Sequence, residues 1–111
     1  MTVARVWSVT STTPTEEDAK QIARIMVAER LAAGAEVTGP AFSVFWHNDE
    51  LGEGQEWRVT LRTAAGLRDR LAARVLELHP WAPVPEIVAS PIEWAIDSYA
   101  DWVEKVTAAT E

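Results

Sequence analysis

The chain has two imidazoles, His47 and His79, and each stands near carboxylates. His79 opens the most unusual stretch, His79-Pro80-Trp81, followed by Pro85-Glu86-Ile87. A turn stiffened by proline would there present an imidazole, an indole and a carboxylate within eight residues. Imidazole and carboxylate are common acid/base groups, and both can ligate metals. The same turn could equally do no more than wedge a helix against a strand. His47-Asn48-Asp49-Glu50 also clusters potential ligands, but a polar hairpin tip is ordinarily just solvated. Neither histidine has His-x-His or His-x-x-x-His spacing, so a metal shell would draw on distant segments or on another chain. Ser8, Ser11, Ser43, Ser90 and Ser98 lack the Gly-x-Ser-x-Gly context of an activated serine. Gly52-Glu53-Gly54 is no phosphate loop, having neither the lysine nor a following helix. Glu29-Arg30, at a helix end, reads as an intersubunit or helix-capping ion pair.

Composition narrows the partners. The chain has 111 residues, enough for one hydrophobic core and a single domain over 1–111. Seventeen acidic against ten basic residues give a net charge of −7. That balance disfavours nucleic acid, which is held by Lys and Arg displacing counterions, and disfavours an anionic membrane surface. There is no cysteine, which excludes disulfides, a thiol nucleophile and thiolate metal sites. The first residues lack the apolar run of a signal peptide, and no window approaches a membrane span, so the expected location is the cytoplasm. Six of the nine aromatics are Trp. In a small protein such a surplus points to subunit interfaces or ligand pockets.

The elements that must position these groups follow from periodicity. Residues 3–10 read as a strand, and 11–14 as a turn. Thr15-Glu16-Glu17-Asp18 predicts the capped, acidic start of a helix over about 15–33, with Gly34 as its stop. Glu36 to His47 reads as a strand interrupted at Gly39-Pro40 by a bend or bulge, and 48–55 as a loop. Glu56 to Thr63 alternates with period two: Trp57, Val59 and Leu61 against Arg58, Thr60 and Arg62. Thr63 then caps a helix with Leu67, Leu71, Val75 and Leu78 on one face, ended by Pro80. Residues 80–85 read as extended and 86–91 as a short strand. Asp97 caps a last helix carrying Tyr99, Trp102, Val103 and Val106. The order β-α-β-β-α-β plus a C-terminal helix is the ferredoxin-like, split βαβ arrangement of the α+β class, with an antiparallel sheet covered by helices on one face. Phe42, Val44 and Trp46 are then expected on the open face, marking an interface.

Several stretches together resemble the CutA divalent-cation tolerance family. They are Glu29-Arg30-Leu31-Ala32-Ala33, Phe45-Trp46, Glu56 to Thr63, His79-Pro80 with Val84-Pro85-Glu86-Ile87, and Tyr99 with Trp102. The likeness covers nearly the whole chain in order. It implies a ferredoxin-like protomer in a tight trimer whose long hairpins cross onto neighbours, and a link to copper and other divalent ions. It also implies small-ligand clefts between subunits. The chain departs from the family where Gly34 stands in place of a common Cys and Arg62 in place of a usual Lys. It departs again at the His-Pro turn, which has Trp81-Ala82 and an added Pro83 instead of an acidic residue.

Three functions are compatible with these residues. One is a trimeric tolerance protein that holds a divalent cation such as copper weakly, through His79 and Glu86, with no other cofactor. The second is a small-molecule enzyme of lyase, cyclase or hydrolase type, using His79 and Glu86 as acid/base. The third is a structural or regulatory trimer binding a protein partner. In the first two, Trp46, Arg62, Trp81, Tyr99 and Trp102 are the ligand-binding candidates of the intersubunit cleft, with Arg62 as an anion clamp.

Overall fold

The computed structural model describes residues 3–108; the ends of the expected 1–111 domain lie outside the described residues. The elements are β1 (Val6–Thr13), α1 (Glu16–Ala28), β2 (Gly34–His47), β3 (Glu50–Ala64), a 3-10 turn (Ala65–Leu67), α2 (Arg68–Leu78), β4 (Ile87–Ile92) and α3 (Asp97–Thr107). The four strands form one antiparallel sheet in the order β2-β3-β1-β4. This is the expected β-α-β-β-α-β order with a further helix.

Helices α1 and α2 cover one face. Their apolar stripes, Ala19, Ile22 and Met26 with Leu71 and Val75, close on Val9, Val59 and Leu61 of the central strands. Val9 lies opposite Leu61, so both project from the same side of the sheet. Helix α3 does not join that layer. It packs Ala100 and Val103 on the opposite face, over Val6, Ala64 and Ile92. Arg5 fastens it there through Asp101 at 2.6 Å and Glu104 at 2.7 Å.

Several boundaries differ from expectation. Helix α1 begins as predicted, with the Thr15 hydroxyl accepting the Asp18 N–H. It ends at Ala28, not near 33, because Arg30 takes the left-handed conformation at φ 60°. The Arg30 N–H then bonds Val27 O and the Leu31 N–H bonds Met26 O, the Schellman pattern ordinarily built on glycine. Gly34 instead opens β2. Strand β1 continues through 11–13, where a turn was expected. Its inward hydroxyls are satisfied: Ser11 donates to Glu86 O at 2.7 Å and Thr13 to Thr15 O at 2.8 Å. Thr63 caps nothing; it is buried in β3 and donates to Leu31 O. Residues 80–83 form turns, with Ala82 N–H on His79 O, where an extended segment was expected. Ile96, not Asp97, is the N-cap of α3, and Asp97 is in its first turn.

The hairpin is longer than predicted. Asn48 and Asp49, both with positive φ, make a two-residue turn, so of the expected loop 48–55 the residues 50–55 are strand. The bulge at Gly39-Pro40 is present, between Thr38 and Ala41. It inserts one residue into β2 and reverses its alternation relative to β3. Phe42, Val44 and Trp46 therefore oppose Gln55, Glu53 and Leu51, on the same side of β3 as Trp57 and Val59. They are not on the open face of the four-stranded sheet. That face carries Ser8, Thr10, Thr60, Arg62 and Ser90.

Candidate functional site

Pro80 and the turn after it leave His79 at the end of α2, folded back against β1. The residue is 5% exposed. Nε2 lies 2.8 Å from Thr12 O, and Nδ1 lies 3.1 Å from the Trp81 backbone N. A carbonyl only accepts and an amide N–H only donates, so Nε2 carries the proton and Nδ1 accepts. Both ring nitrogens are thereby used by the backbone. Trp81 lies with its ring centroid 5.8 Å from that of His79 and is 40% exposed.

Glu86 is exposed and pairs with Arg58 at 3.2 Å. Its backbone carbonyl receives the Ser11 hydroxyl. No hydrogen bond or ion pair among the described residues joins Glu86 to His79. Trp46 stands 74% exposed near the hairpin tip. Tyr99 and Trp102 share one exposed face of α3, their ring centroids 5.8 Å apart. Arg62 reaches the Ser8 hydroxyl at 3.0 Å. The structure thus brings Trp81 to His79 and Tyr99 to Trp102, and ties His79 and the Glu86 backbone to neighbouring residues of β1, without joining these groups to Trp46 or Arg62 by any hydrogen bond or ion pair among the described residues. Two concavities of one chain lie elsewhere, about 170 Å³ lined by Val3 to Val6, Ile92 to Ala95, Asp97 and Ala100, and about 300 Å³ beside Val27, Arg30 and Val106.

For a metal, the donor set fits poorly within one chain. Among the described residues no three His, Asp or Glu side chains come together. A cation at His79 would have to displace the Trp81 N–H from Nδ1 or the proton from Nε2. His47 sits at the tight turn with Nε2 3.3 Å from the Asn48 amide nitrogen. The Glu29-Arg30 pair serves the fold. Glu29 grips Arg74 of α2 at 2.8 and 2.9 Å, and this guanidinium, bonding Glu29 directly, holds its carboxyl below the usual glutamate range. Arg30 donates to Val106 O at the end of α3.

The family model described as CutA1 divalent ion tolerance protein matches residues 7–106. The chain belongs to the CutA1 family. It is 38% identical over 96 residues to the divalent-cation tolerance protein CutA of Thermus thermophilus, covering 86% of this chain and 92% of that one. A solved structure of the Thermus thermophilus divalent cation tolerance protein superposes with a TM-score of 0.87 at 37% identity, over 93% of this chain and 99% of that one. A chloroplastic CutA 1 of Oryza sativa is 29% identical over 96 residues, 86% of this chain and 54% of the plant protein. Among the described residues of this CutA1 protein, no helix is long and apolar enough to cross a membrane.

The sequence did not reveal the partners of His79, a carbonyl on β1 and an amide two residues on. Nor did it reveal the row Arg62–Ser8–Ser90. The alternation of Arg58, Thr60 and Arg62 against Trp57, Val59 and Leu61 was the available signal for that row, but strand order was needed to read it.

Proposed function

We propose that this CutA1 chain acts in the cytoplasm as a homotrimeric divalent-cation tolerance protein, engaging copper and similar cations weakly at clefts between subunits. The observation that carries this reading is the projecting hairpin. Strand β1 pairs with β3 only from Trp57 onward, so residues 41–56 form a two-stranded ribbon with no third strand. Its seven cross-strand pairs, from Ala41–Glu56 to His47–Glu50, extend roughly 20 Å. An isolated ribbon is marginal in water. This one exposes Phe42, Val44, Trp46 and Leu51 together, and a neighbouring subunit is the natural cover.

In this reading His79 and Glu86 serve the fold, because each is already engaged, and cation binding is correspondingly weak. The enzyme alternative needs a free acid/base pair, whereas both His79 ring nitrogens bond the backbone and the Glu86 carboxylate pairs with Arg58. Deleting the gene is expected to lower growth of the host in copper-supplemented medium. Wild type should restore it, and a Phe42→Ser/Trp46→Ser variant should not. Unchanged tolerance in the deletion would speak against the proposal.

A further inference from the structure

The loop between α2 and β4 contains five consecutive apolar residues, Pro80-Trp81-Ala82-Pro83-Val84, and all five are exposed. Val84 is 86% exposed, more than any other large apolar residue described. Such a run is uncommon on a surface that meets only water. The segment is held in one shape. His79 Nδ1 accepts the Trp81 N–H at 3.1 Å. His79 O accepts the Ala82 N–H and Trp81 O accepts the Val84 N–H, both at 3.2 Å. At the far end of the loop Ser11 donates to Glu86 O. A surface already ordered loses little conformational entropy when it is covered.

The loop and the projecting ribbon share one end of the sheet. The ribbon leaves it beyond the pair Thr13–Trp57, and the loop enters β4 just before the pair Ser11–Ile87. The strand order β2-β3-β1-β4 sets the ribbon over one edge and the loop over the other. Two different surfaces at opposite edges meet head to tail between copies, and a head-to-tail contact closes into a ring when its rotation allows. Charge separates the loop from the rival apolar surface on α3. The ribbon, residues 41–56, carries Asp49, Glu50, Glu53 and Glu56 and neither Lys nor Arg. Residues 80–85 are uncharged. Tyr99 and Trp102 share α3 with Asp97, Asp101 and Glu104, which Arg5 and Lys105 offset only in part. Like charges brought together on docking cost affinity.

We propose that the loop 80–84 of each subunit receives the apolar side of the partner subunit's ribbon, with Trp81 and Val84 packed against the partner subunit's Phe42, the partner subunit's Val44 and the partner subunit's Trp46. This docking presupposes the trimeric assembly proposed above and specifies where the ribbon lands.

The chain has no cysteine, so introduced thiols report the contact without background. Val44→Cys/Val84→Cys is treated with a short bismaleimide at a concentration where light scattering gives the assembled mass. Covalently joined chains are expected on a denaturing gel. Val44→Cys/Ser98→Cys, with its second thiol on α3, and each single variant should keep the mobility of one chain. Should Val44→Cys/Val84→Cys fail to assemble, Gln55→Cys/Ala82→Cys takes its place. Trp81→Ser/Val84→Ser should raise the dissociation constant of the assembly about tenfold or more, with circular dichroism close to wild type. Arg70→Gln on α2 should leave that constant unchanged. Assembled protein in which the ribbon–loop pair stays unlinked, or in which the Ser98→Cys pair or a single variant links instead, would overturn the docking surface and leave the trimer standing. A wild-type chain that does not assemble would remove both.

Discussion

His79 Nε2 donates to the carbonyl of Thr12 at 2.8 Å, tying the end of α2 to β1 across 67 residues of chain. With Nδ1 accepting from Trp81, this buried imidazole is a two-sided backbone clamp. Replacing it by alanine leaves a buried carbonyl and an amide without partners. His79→Ala is expected to cost about 1–3 kcal/mol in urea denaturation. Unchanged stability would return His79 to the list of free, reactive groups.

The same clamp limits metal binding. A cation must compete with hydrogen bonds already made, so copper should bind with Kd no tighter than about 1 μM. Calorimetry on protein without an affinity tag checks this. A stoichiometric nanomolar isotherm would show that a better shell assembles than one chain provides.

Acid should loosen the helices through two exposed pairs. Arg74 holds Glu29, and Arg5 holds Glu104, below the ordinary value of 4.5. A carboxylate depressed in the folded state stabilises fully above its unfolded value, and that contribution is lost as pH falls through the folded value. The melting temperature should therefore decline below about pH 4.5, and Glu29→Gln and Glu104→Gln should each make the decline shallower. Identical profiles in all three proteins would remove these pairs from the account.

Gly39 marks the root of the projecting ribbon. At φ 151° a side chain is strained, and a Cβ would sit 2.7 Å from Trp57 Cδ1 and 3.1 Å from Glu56 O. Gly39→Ala should cost about 1–3 kcal/mol, read as a lowered denaturation midpoint. An unaltered midpoint would mean that the bulge relaxes freely.

Much of the fold was legible because local chemistry and tertiary structure agreed. Thr15 with three following acids could start only a helix, and Gly39-Pro40 interrupted its strand as expected. Where they disagreed, distant partners decided. Arg30, not Gly34, turns the chain out of α1, and it bonds the end of α3 at Val106. Asn48-Asp49 makes a tight turn inside a polar stretch that hid two strands. The candidate site was less legible. The types of His79, Glu86 and Arg62 were noticed, but their partners are backbone atoms and residues on other strands. The bulge moved Phe42, Val44 and Trp46 off the open face, which carries hydroxyls and arginines together with Val88 and Glu36.

If the ribbon is an arm for a neighbour, its apolar side chains hold the assembly. Phe42→Ser/Trp46→Ser should shift the protein to a folded monomer in sedimentation velocity, with circular dichroism close to wild type. A variant that assembles as wild type does would place the contact elsewhere.

The most direct measurement is the mass of the wild-type chain by light scattering across a dilution series reaching micromolar concentration. The expected result is a constant mass about three times the 12.3 kDa of one chain. A stable 12.3 kDa species at micromolar concentration would contradict the account, because the exposed ribbon would then have no subunit to cover it.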